Sequence, residues 1–410
     1  MQQKFFKFIP SGALSAVPAV LGKLLRDEAI GGKLIIVAAA AALIIANTPL
    51  RSAYDSLWHQ VLSITVAGHG VSLDLRHWVS EGLMAIFFSV VGLEIKREIV
   101  KGQLRHFRTA LLPIGAAVGG MLVPAILFIA LTTNSPEAIR GWAIPTATDI
   151  AFALAVVSLL GNRVPSALKL FLLTLAIVDD LGSIAVIALF YGSSIAPLPV
   201  VGAVAIALGI IVLSRFRRIS VWLFALLGIA FWYAVLKSGI HASIAGAFLG
   251  LLAPLTTRNG ASVAEKLETA MIPVSTFLAV PLFAFASLGV TLSSAVFDAP
   301  GAITLGWGIF AGFVTGKVLG VSLTSWLLVK LKLSELPKGS NWFQLVGVGF
   351  LAGIGFTVSV FIADAAFAAN PELTDAGKIS ILLASLVSAV GGYLFLRHRK
   401  KVEEILLQDV

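Results

Sequence analysis

Long apolar windows recur along almost the whole chain, separated by short polar stretches rich in Lys, Arg, Gly and Pro. They predict twelve helical spans, near 33 to 48, 79 to 96, 109 to 131, 142 to 160, 167 to 191, 197 to 214, 220 to 236, 239 to 255, 271 to 288, 303 to 328, 343 to 367 and 374 to 396. The hydrocarbon layer of a bilayer is about 30 Å thick and takes about 20 residues of helix to cross. The pattern is that of an all-α polytopic membrane protein with about twelve transmembrane helices. One segment departs from it. Residues 61 to 75, VLSITVAGHGVSLDL, alternate apolar and polar side chains on both sides of Gly68-His69-Gly70, which predicts an extramembrane β-hairpin. Two strands alone are marginal in water, so the hairpin either folds onto its own chain or pairs with the same hairpin of a second protomer in a homodimer.

Composition agrees. Of 410 residues, 58% are hydrophobic and 12% charged, where soluble proteins carry about 25% charged residues. A soluble fold is excluded. With no cysteine, disulfides, thiolate metal sites and thiol nucleophiles are excluded as well. Six scattered histidines, and the lack of a phosphate-loop or dinucleotide fingerprint, leave no reason to expect a nucleotide, a transition metal or a nucleic-acid partner. The net charge of +9 matters less than its placement. With the N-terminus in the cytoplasm, 24 of the 30 Lys and Arg lie inside and only Arg51, Arg76, Arg140, Lys237 and Lys378 outside. An odd number of spans would scramble that alternation, so both termini are expected in the cytoplasm. Residues 1–32 carry Lys4 and Lys7 like a secretory leader, but Pro10, Gly12 and Pro18 interrupt them and no cleavage site follows. They are read as a retained cytoplasmic segment, either a frayed tail or a helix lying against membrane lipid with Leu14, Val17, Leu21, Leu24 and Leu25 on one face. Residues 397–410 are read as a cytoplasmic tail.

Lys317 is the one cation outside this partition. It sits mid-span in GIFAGFVTGKVLGVSL, where a charge costs at least about 2.5 kcal/mol and needs a partner. The acids deep inside spans are Asp149 in WAIPTATDIAFAL and the adjacent Asp179 and Asp180 in LLTLAIVDDLGSIAVI. Three buried acids and one buried base form a static network or are balanced by protons or cations. A hard cation such as Na+ seeks oxygen ligands, which two adjacent carboxylates supply together with compensating charge. Protons compete for the same oxygens, and competition for one site gives antiport. Span four is interrupted around Pro145, Thr146 and Thr148, and span eleven at Gly353-Ile354-Gly355. Spans three to five and ten to twelve start from opposite sides of the membrane, which makes two inverted three-helix repeats, each with its broken helix in the middle. If the broken helices cross at the midplane, Asp149 suits the positive N-terminal ends meeting there and Lys317 the negative C-terminal ends.

These segments, together with GNRVPSALKLFLLTLAIVDDLGSI, VGLEIKRE, AVLKSGIHASIAG, PLFAFASLGV and GIGFTVSVFIA, closely resemble the NhaA-type bacterial sodium/proton antiporters over nearly the whole chain after residue 30. That family is itself one of those in which paired broken helices mark the transport site, so the two readings are not independent. The resemblance implies Asp179 and Asp180 as the ion-binding acids for Na+, Thr148 and Asp149 at the crossing, and Lys317 as the base that pairs with Asp179. It implies a twelve-helix domain over 33–396, with core repeats about 109–191 and 303–396 and interface helices about 33–96 and 197–288. It further implies a homodimer through the 61–75 hairpin in the bacterial inner membrane, no cofactor, and Na+, Li+ and H+ as transported ions. Glu81, Glu94, His241 and Glu268 match places the family associates with pH response. The plainer reading makes them solvated helix ends, with Glu94 or Glu98 pairing Lys96 or Arg97. Thr269 and Asp364 depart from the family pattern.

The expectation is an electrogenic, pH-regulated Na+(Li+)/H+ antiporter exchanging 2 H+ per Na+, and not an enzyme. A sodium-coupled symporter of similar fold is the alternative. An intramembrane aspartyl protease needs acids on two facing helices, and a lysine beside the acids makes a poor passive channel.

Overall fold

The structure is a computed structural model and describes residues 28–66, 69–105, 107–192, 196–216, 219–255 and 262–397. The helix expected around Leu14 to Leu25 and the tail beyond Arg397 lie outside the described residues.

In chain order the elements are α1 (Glu28–Ala46), α2 (Arg51–Trp58), β1 (Val61–Val66), β2 (His69–Asp74), α3 (Leu75–Lys101), α4 (Phe107–Thr132), a 3₁₀ segment (Ile139–Thr146), α5 (Ile150–Leu160) and α6 (Ser166–Phe190). There follow α7 (Pro197–Arg215), α8 (Val221–Lys237), α9 (Ala242–Leu252), α10 (Val263–Ser287), α11 (Ala302–Lys330), α12 (Trp342–Ala352), α13 (Phe356–Ala366) and α14 (Pro371–Arg397). Every expected span contains helix, with spans four and eleven interrupted and the eighth helical only over Ala242–Leu252. Among the described residues, eight helices are long and apolar enough to cross a membrane, or ten if each bent pair, α1 with α2 and α12 with α13, is one span. The shortfall from twelve lies in α8 and α9, with 17 and 11 residues. An 11-residue helix is about 16 Å long, little more than half the hydrocarbon layer. The first pair bends by 117°, so α2 does not continue α1; the second bends by only 43°.

The chain divides into two compact units, 1–100 with 184–293, and 101–183 with 294–410. In the first, Tyr54 of α2 donates to the Phe285 and Ala286 carbonyls, and its ring meets Trp58 and Phe285 edge-on. The predicted hairpin forms, with β1 and β2 antiparallel and Val61 opposite Asp74. His69 and Gly70 belong to β2 rather than to the turn, because the Val66 to His69 pair closes the ladder. Trp78 donates to the Leu62 carbonyl and the Leu75 N–H to the Gln60 carbonyl, which ties the hairpin to α3. Val61, Leu62 and Ile64 are nonetheless exposed, so both faces of β1 present apolar side chains.

In the second unit the order long helix, broken helix, long helix occurs twice: α4, the 3₁₀ segment with α5, and α6; then α11, α12 with α13, and α14. A core of Leu112, Ala116, Leu172, Leu175, Val348 and Leu351 joins the two sets. The Gly308, Gly312, Gly316 and Gly320 stripe of α11 is a packing surface. A Cβ at Gly312 would come within 2.6 Å of Pro145, and one at Gly316 within 2.7 Å of Pro124, so glycine is what lets these backbones meet.

Candidate functional site

In span four the 3₁₀ segment ends at Thr146 and α5 begins at Ile150, leaving Ala147, Thr148 and Asp149 extended. In span eleven α12 stops at Ala352 and α13 starts at Phe356, with Gly353, Ile354 and Gly355 between them. A helix break strands N–H groups at one end and carbonyls at the other, and in an apolar layer each needs a partner. The two breaks supply each other. The Asp149 N–H donates to the Ile354 carbonyl at 2.5 Å, and the Ser359 hydroxyl to the Ile144 carbonyl at 2.9 Å.

The charged side chains complete the crossing. Asp149 Oδ1 accepts from the Phe152 N–H (3.1 Å) in the first turn of α5. Its Oδ2 accepts from the Thr357 N–H (3.0 Å) and hydroxyl (2.6 Å) in the first turn of α13. One carboxylate thus caps two helix N-termini, the positive ends of their dipoles. Lys317 takes the opposite role. Its ammonium donates to the Thr146 carbonyl (2.6 Å) at the C-terminal end of the 3₁₀ segment, to Thr148 Oγ1 (3.0 Å), and to Asp179 Oδ2. Thr148 Oγ1 also lies 2.5 Å from Asp179 Oδ2 and 2.7 Å from the Ala352 carbonyl, the end of α12. With a single hydrogen, that hydroxyl donates to one of the two at a time while it accepts from Lys317.

Asp179 and Lys317 are 0% exposed and Asp180 4%, in a region where an unpaired charge is costly. Lys317 is held by three oxygens, and Asp179 keeps Oδ1 without a hydrogen bond among the described residues. The arrangement carries two adjacent carboxylates, one of them engaged by a displaceable ammonium, at the junction of four helix ends. It can exchange an internal cation for an external one of similar charge.

The structure also pairs residues that the sequence offered singly. In the first unit, His241 Nδ1 lies 2.8 Å from Glu81 Oε1, and Glu81 Oε2 accepts from the Ala242 N–H at 2.5 Å and the Ser243 N–H at 3.3 Å. Glu81 sits on a π turn of α3, Trp78–Leu83, and caps α9. Near the other end of α3, Lys96 donates to the Ala253 carbonyl at 2.6 Å, the C-terminal end of α9. Arg97 pairs with Glu268 of α10 at 2.5 Å. Lys96 and Arg97 therefore face α9 and α10, because neighbours one or two apart on a helix point in different directions. Glu94 is half-buried on α3. In the second unit Lys378 of α14, almost wholly buried, pairs with Asp364 of α13 at 2.6 Å. Thr357, Ser359 and the Asp364–Lys378 pair went unread in the sequence. Only the lone Thr after the Gly353–Gly355 break signals any of them, as a hydroxyl in the first turn of a helix.

Comparison with known proteins follows the same lines. Residues 22–396 match the family described as Na+/H+ antiporter 1. The Na(+)/H(+) antiporter NhaA of Escherichia coli O139:H28 is 46% identical over 383 residues, covering 92% of this chain and 98% of that protein. The protein of the same name from Citrobacter koseri is 45% identical over 383 residues, with the same coverage of 92% and 98%. Among solved structures, the sodium proton antiporter MjNhaP1 from Methanocaldococcus jannaschii superposes with a TM-score of 0.52 at 16% identity, covering 92% of this chain and 96% of that one, a likeness of fold alone.

Proposed function

Since the chain belongs to the Na+/H+ antiporter 1 family and exchanges Na+ for H+ across a membrane, we propose that the exchange is electrogenic, with two protons entering per Na+ leaving, and that Asp179 and Asp180 bind the cation. The observation that carries this reading is the buried ion pair of Lys317 and Asp179 beside Asp180, at the junction of two broken helices.

Without Na+, the Lys317 ammonium neutralises Asp179. An arriving Na+ competes with that ammonium for the carboxylate oxygens, and both aspartates must be ionised to hold it well. After release, Asp179 and Asp180 each take up one proton before the empty carrier returns, and the Lys317 ammonium re-engages Asp179 once that proton has left inside. Asp149 keeps the helix ends in place throughout, since its hydrogen bonds come from the Phe152 N–H and from the N–H and hydroxyl of Thr357, none of which exchanges with the cation. One net positive charge moves inward per cycle, so an inside-negative potential drives Na+ export by about 2.3 kcal/mol per 100 mV. Li+ is carried by the same oxygens, and no cofactor takes part.

The repeats of about 109–191 and 303–396 form the ion-carrying core, and the helices of about 33–96 and 197–288 the interface domain. Glu81 with His241, Glu94, and Glu268 with Arg97 set the response to pH. The protein works as a homodimer joined through the 61–75 hairpin, whose apolar side chains are exposed on both faces of β1, in a bacterial inner membrane with both termini in the cytoplasm.

Reversal potentials in proteoliposomes with fixed Na+ and pH gradients test the charge count. A voltage-dependent null point is expected; one independent of voltage means one-for-one exchange and removes the two-acid account. In the same vesicles Asp180→Asn should abolish Na+-driven pH change, because the amide cannot neutralise bound Na+.

A further inference from the structure

Buried hydroxyls on the helices of this protein commonly turn back to the carbonyl one turn earlier. Ser89 donates to Ala85 at 2.7 Å, Thr132 to Phe128 at 2.9 Å, Thr174 to Leu170 at 2.9 Å and Ser380 to Ala376 at 2.8 Å. That bond is the ready solution for a hydroxyl in an apolar layer. Ser183 on α6 does not make it. It is 0% exposed, and its Oγ has no hydrogen-bond partner among the described residues. Ser243, Ser325 and Ser388 share that condition, but Ser183 alone of them follows two buried carboxylates by one turn of its own helix.

Ser183 follows Asp179 by four residues and Asp180 by three, which places all three on neighbouring positions of one helix face. Helical Cα–Cβ bonds lean toward the N-terminus, so Ser183 leans back over the turn that carries the two acids. On that same turn Asp179 uses Oδ2 for Lys317 and Thr148 and leaves Oδ1 without a hydrogen bond. Two wholly buried oxygens, one charged and one neutral, thus stand a turn apart on one face without partners. Native proteins rarely leave such atoms without a water, an ion or another polar partner. A hard monovalent cation stripped of water takes several oxygens, more than two carboxylates supply singly.

We propose that the Ser183 hydroxyl is a neutral ligand of the transported cation, which with Asp179 and Asp180 makes a three-residue oxygen set on α6. This rests on the reading of the two aspartates as the ion site. The consequence is specific. A neutral oxygen adds coordination without adding charge, so Ser183 sets cation affinity and leaves the proton count alone.

The test compares wild type, Ser183→Ala, Ser183→Thr and Asp180→Asn in proteoliposomes, with Na+-evoked pH change giving KM and maximal rate, reversal potentials giving stoichiometry, and melting temperatures monitoring the fold. Ser183→Ala should raise the KM for Na+ about five- to tenfold, the worth of one polar contact, with maximal rate and reversal potential unchanged. Ser183→Thr, which keeps the hydroxyl, should stay nearer the wild-type KM. A Ser183→Ala KM within twofold of wild type, a loss confined to maximal rate, or an equal rise in both serine variants overturns the proposal. If Asp180→Asn still exchanges at the wild-type rate, it is the underlying site that fails, and the two failures are distinct.

Discussion

A single oxygen of Asp149, Oδ2, receives both the backbone N–H and the hydroxyl of Thr357, a residue 208 positions later in the chain. The other oxygen caps α5. Asp149 therefore fastens the two broken helices to each other by their N-terminal ends, as Lys317 and Thr148 gather the ends that carry carbonyls.

Asp149→Ala strips the cap from two helices, each cap being worth about 1 kcal/mol and up to about 2. Thr357→Val removes only the hydroxyl, about 1.5–3 kcal/mol for a bond to a charged group. Melting temperatures of the purified variants should fall in both, and the double variant should lose less than the sum, because both changes act on one network. Strict additivity would mean that the two side chains are not coupled.

Lys317→Ala leaves Asp179 buried without its cation. Removing one member of a buried pair costs about 3–5 kcal/mol, so the variant should melt well below wild type, while Na+-evoked current persists because Asp179 and Asp180 remain to hold Na+ and protons. Measuring both on one preparation separates a structural lysine from a proton carrier, whose loss would make transport electroneutral.

The Asp364–Lys378 pair predicts an asymmetry. Lys378 has 4% of its side chain exposed and Asp364 30%. Asp364→Asn strands an ammonium that water does not reach, whereas Lys378→Met leaves a carboxylate that water solvates. The first should destabilise more than the second, by thermal unfolding in detergent, and the reverse order would mean that the pair is solvated as a whole.

Asp74 ends β2 and opens α3. Partial burial pushes its carboxyl upward, but the backbone N–H and ring of His77 outweigh this and hold it below the usual carboxylate value. Because the folded value is depressed, its contribution is full above the ordinary value for an aspartate and is lost as pH falls through the folded one. The gap in melting temperature between wild type and Asp74→Ala should be constant near neutrality and narrow below about pH 4. A gap that widens on acidification would contradict the assignment.

Much of this was legible in the sequence because a bilayer makes few demands and makes them strictly. The broken spans announced themselves through Pro145 and the Gly353–Gly355 run, and the buried charges through their rarity. What stayed hidden was pairing between distant segments. Glu81 and His241 are 160 residues apart and were read as separate groups, although one carboxylate serves both the ring and the first turn of α9. Lys96 read as a surface cation because nothing in its own helix reveals that the Ala253 carbonyl lies beneath it. The length of α9 was overestimated for a related reason: apolar residues continue past both of its ends, and hydropathy does not register where the hydrogen-bond ladder stops.

Because α3 holds α9 by an acid at its amino end and a base at its carboxyl end, the short helix has no terminus of its own to fray. Its glycine face deepens the dependence, since a Cβ at Gly246 would overlap the Ala85 carbonyl and one at Gly250 would come within 2.6 Å of the Leu93 nitrogen. In hydrogen exchange, the amides of α9 should open together with those of α3 and at the same free energy. The shorter helix behaves as a splint bound to the longer one, and a strain applied at Glu81 reaches Lys96, roughly 22 Å along the axis, without any part bending on the way.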